Sequence, residues 1–218
     1  TARDIGLAAA GNAAHVSVRR APHVVLFTTG DELVLPGERP RADQIVSSNS
    51  YALEAMVRAW GGRVTNLGIV PDTLKATEAA VRKGLGANIL ITTGGASVGD
   101  HDFVQEGLRN CGVAIDFWKI ALRPGKPLMF GTKGKTRVIG LPGNPVSALV
   151  CSRIFIKPLI DALQGIHKTE EYPIAELGFA VPENDGRKDF VRATMTVGRD
   201  GRRTVLPHTT QDSSMQRT

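Results

Sequence analysis

The stretch Asn-Ile-Leu-Ile-Thr-Thr at residues 88–93 constrains the fold more than any other, because its apolar residues are consecutive rather than alternating. Such a run is typical of a central strand in a parallel sheet that is covered on both faces. Further strand-like stretches occur at residues 24–27, 64–70 and 138–141, with helix-like patterns between them. Strands and helices that alternate in this way form parallel βαβ units with right-handed crossovers. We therefore predict an α/β fold, with a three-layer, mostly parallel sheet and helices on both faces.

Four helices are expected between and after these strands. Most of them follow a side chain that can accept a hydrogen bond from the first helical turn. Pro158 should kink the last helix or end its first segment, because proline lacks the N–H that a helix interior requires. The expected helices are those after Ser48-Asn49 (residues 51–60), after Asp72-Thr73, over residues 103–111, and from Asn144-Pro145 onward.

The last quarter of the chain has a different pattern. Residues 175–181, 190–197 and 204–206 are rich in β-forming residues, and glycine-containing turns separate them. Short strands joined by such turns predict a small β unit. We therefore expect a stub of an N-terminal region at residues 1–20, an α/β domain at 21–166, and a small β domain at 167–218.

The composition favours a small anionic ligand. The formal net charge is +6, but the basic residues are spread along the chain, which favours a phosphorylated small molecule over a nucleic acid. Aromatic residues make up only 5% of the chain, too few for a protein that stacks the bases of a single strand. No apolar stretch is long enough to span a bilayer. We expect neither a nucleic-acid partner nor a membrane partner.

The two cysteines, Cys111 and Cys151, form neither a metal-binding pattern nor a disulfide framework. We expect both to be buried thiols in a reducing compartment, which predicts a cytoplasmic location.

Three predicted strands end in loops that combine glycine with hydroxyl or acidic side chains. In an open parallel sheet, ligands bind at the carboxyl ends of the strands. Successive backbone N–H groups in such turns can bind phosphate, although a single loop of this kind is equally typical of a tight turn without a function. Three of them at one sheet edge predict an anion site. The loops lie at residues 28–32, 92–100 and 140–147.

Acidic side chains accompany these loops. Glu32, Asp72, Asp100 and Asp102 fall at predicted strand ends or helix starts. They can cap helices, as Asp72 is well placed to do, or they can converge on Mg²⁺, which takes carboxylates together with substrate phosphate oxygens. The spacing leaves both possibilities open.

A basic motif, Arg-Pro-Gly-Lys-Pro, occupies residues 123–127. Arg123 can hold an oxyanion with two donors, and Lys126 adds a point charge. The alternative is a solvated surface turn.

Five motifs follow one another along the chain: TTGDEL (28–33), SN (48–49), TTGGASVG (92–99), RPGKP (123–127) and LPGNPVS (141–147). In this order they resemble the molybdopterin molybdenumtransferases, a family that includes the C-terminal domain of gephyrin. The resemblance covers nearly all of residues 20–165. The stretches 186–192 and 213–214 resemble the family's small C-terminal β domain more weakly, and residues 4–7 resemble the segment before its main domain.

The resemblance implies a reaction: molybdate is inserted into the dithiolene of adenylylated molybdopterin, AMP is released, and Mg²⁺ is the cofactor. Adenylylated molybdopterin and molybdate would be the partners, and the full-length protein would be a homodimer. The glycine loops would hold the pterin phosphate and the nucleotide. The implied catalytic and metal-binding acids are Glu32, Asp72 and Asp102; the implied substrate-binding residues are Thr29, Gly30, Ser48, Asn49, Gly94, Gly95, Ser97, Gly99, Pro142, Gly143, Asn144 and Pro145; the implied molybdate-binding residues are Arg123, Lys126, Ser147 and Arg187, with Arg192, Ser213 or Ser214 as further candidates.

Two other functions fit the same fold. A molybdopterin adenylyltransferase shares the fold and the pterin site, but its loop usually has Thr-Gly-Gly-Thr-Gly where this chain has Ala96 to Gly99 inserted, and it lacks a β appendage. A non-catalytic scaffold or binding domain is the second alternative, since gephyrin's related domain binds receptor segments. A nicotinamide-binding domain is disfavoured, because no Gly-x-Gly-x-x-Gly follows the first strand.

Overall fold

The computed structural model describes residues 1–94, 103–167 and 172–214. No helix within these ranges has the length and apolar character that crossing a membrane requires. The helices are α1 (Ala2–Ala10), α2 (Asn49–Ala59), α3 (Leu74–Gly84), α4 (Phe103–Asn110), α5 (Pro145–Cys151) and α6 (Lys157–Gln164), with a π-helical turn at Ser152–Ile156. The strands are β1 (His23–Thr29), β2 (Leu33–Val34), β3 (Ile45–Val46), β4 (Arg63–Val70), β5 (Ile89–Thr93), β6 (Ala114–Trp118), β7 (Leu122–Arg123), β8 (Met129–Lys133), β9 (Thr136–Leu141), β10 (Glu176–Leu177), β11 (Lys188–Asp189), β12 (Ala193–Val197) and β13 (Arg203–Pro207).

The central sheet has six strands in the order β4-β1-β5-β9-β8-β6. β1 pairs in parallel with β4 and β5, and β5 pairs in parallel with β9. β8 runs antiparallel to both β9 and β6. The predicted mostly parallel sheet is therefore confirmed, with β5 at an inner position. The prediction lacks β6 and β8, because these short strands are only partly buried and carry a weak apolar pattern.

Helices cover both faces of this sheet, which confirms the three layers. Ile89 and Ile91 of β5 pack in a core cluster with residues of α2, α5 and α6. Leu90, between them, packs in a second cluster with residues of α3 and α4. All three side chains are fully buried. Since burying an aliphatic side chain contributes roughly 1.5–3 kcal/mol, the consecutive apolar residues stabilise both faces.

The predicted capping by Asp72-Thr73 is confirmed for Thr73 at α3, whereas the predicted side-chain caps of α2 and α5 do not form. Ser48 occupies the cap position of α2, but its side chain makes no capping hydrogen bond. At α3 the cap is Thr73, whose hydroxyl accepts from the backbone N–H of Ala76, so Asp72 is left outside the helix. Asn144 precedes α5 without capping it, because its side chain bonds elsewhere.

Pro158 lies directly after an irregular turn, as its chemistry requires. The helix that begins at Pro145 changes to π-helical geometry at Ser152–Ile156 and resumes as α6 at Lys157. Pro158 is then the second residue of α6, next to a π-helical turn of the kind at which helices accommodate residues that disturb the regular hydrogen bonding. The wide turn is also consistent with the hydroxyl of Ser152, which donates to the carbonyl oxygen of Ala148 at 2.6 Å.

The β-rich tail contacts the α/β part through a short strand pair. β10, β13 and β12 form a three-stranded sheet, and β12 and β13 form a hairpin. β11 instead pairs in parallel with β7, which lies in the Arg-Pro-Gly-Lys-Pro region. Phe190, directly after β11, packs against the first core cluster. The tail therefore reaches the edge of the sheet where the predicted anion site lies.

The described cysteines Cys111 and Cys151 are free and buried, as expected. Burial raises the pKa of the Cys151 thiol to about 12. At the other end of the chain, α1 contributes no buried residue.

Candidate functional site

The loops after β1, β5 and β9 meet at the carboxyl edge of the parallel strands. These strands end level with one another, since Thr28 pairs with Thr93 and Thr93 pairs with Leu141. The hydroxyl groups of Thr28 and Thr93 lie 3.3 Å apart. Asn49, at the start of α2, donates from Nδ2 to the carbonyl oxygen of Gly143 at 2.6 Å. The start of α2 is thus tied to the same edge.

Gly94 brings two of these loops into backbone contact. Its φ is +83°, and a Cβ at this position would lie 2.1 Å from the carbonyl oxygen of Thr29. A side chain at residue 94 would therefore be strained by the left-handed backbone conformation and would clash with the Thr29 carbonyl oxygen. The loop after β5 needs glycine here to reach the loop after β1.

Two adjoining clefts run along this edge. The main cleft, of about 730 Å³, lies between the three loops, residues 122–127 and the tail. The second cleft, of about 610 Å³, lies between the loops after β1 and β9 and residues 45–49. The residues that line both clefts are Thr29, Glu32, Gly94, Gly143 and Asn144.

Apart from the further candidate Arg192, each predicted site residue in the described ranges lines at least one of these clefts, and the individual roles stay predictions. The predicted residues Gly95, Ser97, Gly99 and Asp102 lie outside the described residues. The main cleft is lined by Thr29, Gly30, Glu32, Asp72, Gly94, Arg123, Lys126, Pro142, Gly143, Asn144, Ser147 and Arg187, and the second cleft adds Ser48, Asn49 and Pro145.

Carboxylates form an acidic corner where the loop after β1 approaches the start of α3. Glu32 and Asp72 both line the main cleft. Asp31, to which the motif analysis assigned no role, accepts a hydrogen bond from the backbone N–H of Asp72 at 3.2 Å. Burial raises the pKa of Asp72, and the negative charges of Asp31 and Glu32 raise this pKa further. A cation at this corner would relieve that repulsion.

This donor set fits Mg²⁺. The ion is commonly held by one or two protein carboxylates together with substrate phosphates and water. Glu32 and Asp72 supply two carboxylates in one cleft. In the ranges that the structure describes, no three acidic, histidine or cysteine side chains gather as a complete metal site. The third predicted carboxylate, Asp102, lies outside those ranges.

Basic side chains line another part of the main cleft. Arg123, Lys126 and Arg187 all contribute, together with the hydroxyl-bearing Ser147. Arg187 comes from the tail, 64 residues after Arg123, and the pairing of Arg123 with Asp189 across β7 and β11 brings the two segments together. The two-residue strands β7 and β11 are too short to show a periodic pattern, so only the motif match pointed to this contact.

Two aspartates that the sequence analysis missed contact these arginines. Asp185 Oδ2 lies 2.9 Å from Arg123 Nη2, and Asp185 Oδ1 accepts from Arg187 Nε at 2.8 Å. Asp189 Oδ2 lies 3.6 Å from Arg123 Nη1. The hydrogen bonds from Arg187 and the charge of Arg123 lower the pKa of Asp185 to about 2.

The end of the tail completes the wall of the main cleft. Asn144 donates from Nδ2 to the hydroxyl of Ser213 at 2.9 Å, and the N–H of Val146 donates to the Ser213 carbonyl oxygen at 2.9 Å. Ser213 lines the main cleft, whereas Ser214 lines the second. Arg192 instead donates to the carbonyl oxygens of Thr210 and Asp212, at 3.0 and 2.9 Å. Of the two arginines considered from the tail, Arg187 is the one that lines the cleft.

Comparisons with known proteins agree with this geometry. Residues 25–162 match the family described as "Probable molybdopterin binding domain". The chain is 40% identical over 171 residues to a protein from Nostoc named molybdopterin molybdenumtransferase, and 36% identical over 193 residues to a protein of the same name from Haemophilus influenzae. These matches cover 77% and 86% of this chain but only 39% and 47% of the two relatives. The chain thus spans less than half the length of each.

A solved structure supports the same grouping. The structure described as molybdopterin biosynthesis MoeA protein from Pyrococcus horikosii is 25% identical, with a TM-score of 0.70 over 87% of this chain and 46% of that one. The family match covers more than half of the residues and contains the loops after β1, β5 and β9 that form the clefts. The chain therefore belongs to the molybdopterin-binding domain family.

Proposed function

We propose that this chain carries the site at which molybdate is inserted into adenylylated molybdopterin with release of AMP. The observation that carries the proposal is that cations, carboxylates and glycine loops line one cleft. A dianionic oxyanion and a phosphoanhydride are both negatively charged, and their reaction needs positive charge and a place for a divalent cation. The names of the relatives from Nostoc and Haemophilus influenzae support the same reaction.

The basic part of the main cleft would bind molybdate. Arg123 and Arg187 offer planar guanidinium donors, and Lys126 offers a compact positive charge. The hydroxyl of Ser147, which is buried at the start of α5, supplies a further neutral donor. This combination suits a tetrahedral dianion better than a flat carboxylate, because the donors belong to separate segments of the chain.

The acidic corner would serve the phosphoanhydride of the substrate. In its cleavage, the oxygen of a water molecule bonds to one phosphorus and the bridging oxygen leaves on the other, which yields AMP and the pterin phosphate. Glu32 and Asp72, with Asp102, would hold Mg²⁺ or orient this water. Bound Mg²⁺ would supply positive charge to the phosphate oxygens. The N–H groups of the glycine loops would hold the pterin phosphate and the nucleotide.

The direct test is to incubate the chain with adenylylated molybdopterin, Mg²⁺ and molybdate and to measure AMP. Wild type should release AMP. Asp72→Ala and Lys126→Ala should each reduce the rate by about 100-fold, the scale associated with the loss of one charge-stabilising group. A rate reduction of less than about tenfold in either variant would contradict the assigned roles.

Matched variants control for changes of net charge. Asp43→Ala and Lys135→Ala remove charges from exposed residues that line neither cleft, and they should leave the rate unchanged. If neither wild type nor any variant forms AMP from adenylylated molybdopterin, the proposal for this chain is overturned. Transfer of adenylate from ATP to molybdopterin would instead assign the adenylyltransferase activity.

The proposal includes a cytoplasmic location and a homodimer for the full-length protein. The two buried free thiols suit a reducing compartment. Light scattering of the full-length protein tests the dimer.

A further inference from the structure

An internal carboxylate already occupies the two arginines of the main cleft. Asp185 accepts from Arg123 Nη2 at 2.9 Å and from Arg187 Nε at 2.8 Å. A further contact joins Asp185 to Arg187 Nη2. Both guanidinium groups therefore direct donors at one carboxylate, although they line a cleft suited to an external anion.

The position of Asp185 allows its carboxylate to break its contacts with Arg123 and Arg187. It lies in the exposed connection between β10 and β11, where the side chain of Asn184 accepts from the N–H of Gly186 at 3.1 Å. Its side chain is 53% exposed, and it does not line either cleft. By contrast, Asp189 sits within β11 and its side chain is only 21% exposed. Asp185 can therefore turn towards water while the arginines stay in the cleft wall.

We propose that the Asp185 carboxylate is a built-in competitor that occupies Arg123 and Arg187 until an oxyanion displaces it. It thereby lowers the apparent affinity of the cleft for every oxyanion by the same factor. The inference rests on the proposed oxyanion site and adds an affinity-determining residue to it.

Charge explains how an oxyanion displaces Asp185. A tetrahedral dianion offers the arginines twice the charge of the Asp185 carboxylate that it replaces. Exposed ion pairs contribute little because water screens them, so Asp185 can be displaced at modest cost. The pKa of Asp185, lowered to about 2 by Arg187 and Arg123, keeps the competitor charged at every ordinary pH.

The test is the affinity of Asp185→Asn for inorganic molybdate, measured by calorimetry at low ionic strength. The amide keeps the shape of the side chain but removes its charge. Molybdate should bind the variant about three- to tenfold more tightly than wild type, the range expected for a lost exposed ion-pair competitor. The difference should shrink at 0.5 M NaCl, where charges are screened. The ratio of sulfate to nitrate affinity should stay unchanged, because an internal competitor lowers the affinity of both anions by the same factor.

Asp200→Asn is the matched control, because Asp200 pairs with Arg202 in the turn between β12 and β13 and lines neither cleft. It makes the same change in net charge and should leave the molybdate affinity unchanged. Thermal unfolding verifies that both variants are folded.

Equal or weaker molybdate binding by folded Asp185→Asn would overturn the inference, since it would show that Asp185 only holds the arginines in place. This outcome is separable from failure of the proposed function. Wild type that releases AMP while Asp185→Asn binds molybdate no better refutes the competitor alone. Tighter binding by the variant without AMP release supports the competitor and refutes the reaction.

Discussion

At the scale of single residues, Gly94 fixes the distance between the loops after β1 and β5. We expect Gly94→Ala to lower the free energy of unfolding by roughly 2–4 kcal/mol, because the methyl group meets the Thr29 carbonyl oxygen and the backbone is left-handed. Urea denaturation measures this change. Gly86→Ala is the control, since a Cβ there has no neighbour within 4 Å, and it should change stability by less than about 0.5 kcal/mol. Equal effects at the two positions would contradict the role of the close approach.

Some residues of the site could be predicted from the sequence, and others could not. Glycines such as Gly30, Gly94 and Gly143 were predictable, because each follows a strand whose apolar run is evident in the sequence. Asp185 and Asp189 were not, because their significance depends on contacts with Arg123, more than 60 residues earlier. An isolated aspartate in a polar loop carries no local sign of such a partner.

At the scale of elements, the first turn of α5 donates a hydrogen bond to the tail. The N–H of Val146 donates to the Ser213 carbonyl oxygen. Gln211 fixes this segment through its side chain, which accepts from the N–H of Arg192 and donates to the carbonyl oxygens of Arg192 and His208, each at 2.9 Å. The Gln211 amide group thus makes three hydrogen bonds, which hold residues 208–213 beside α5.

Gln211→Ala should therefore loosen the tail from α5. We expect the amide hydrogen of Val146 to exchange at least about tenfold faster, since the lost hydrogen bonds contribute roughly 0.5–1.5 kcal/mol each. Hydrogen exchange followed by NMR measures it. Gln44→Ala removes an amide that accepts from Arg41 in an exposed loop and should leave Val146 unchanged. An unchanged exchange rate in Gln211→Ala would contradict the proposed anchoring.

The elements of the parallel sheet were predictable, whereas the connecting elements were not. β1, β4, β5 and β9 follow from apolar runs that burial on both faces requires. The two-residue strands β2, β3, β7 and β11 are too short to have a period, and β7 and β11 form because segments more than 60 residues apart pair. Tertiary contacts, rather than local propensity, therefore decide where the cleft walls lie.

At the scale of the whole molecule, the tail supplies part of the site but little of the main core. We expect a chain ended after His167 to unfold cooperatively, because the six-stranded sheet lies within residues 23–141. Its melting temperature should fall by a few degrees, since Phe190 no longer packs on the core. Its molybdate binding should be lost with Arg187. Circular dichroism and calorimetry measure the two effects.

A chain ended after Asp212 is the control for this truncation. It lacks Ser213 but keeps Arg187 and the pairing of β7 with β11, so it should retain most of the molybdate affinity. Loss of cooperative unfolding in the chain ended after His167 would contradict the proposed boundary between the two domains.

The pairing of β7 with β11 also orders events during translation. The ribosome releases Arg123 and the strands of the sheet well before it releases Asp185 and Arg187. A nascent chain therefore holds its sheet edge before the basic part of the main cleft is complete. The proposed oxyanion site would form only when one late segment supplies both Arg187 and the Asp185 carboxylate that competes for it.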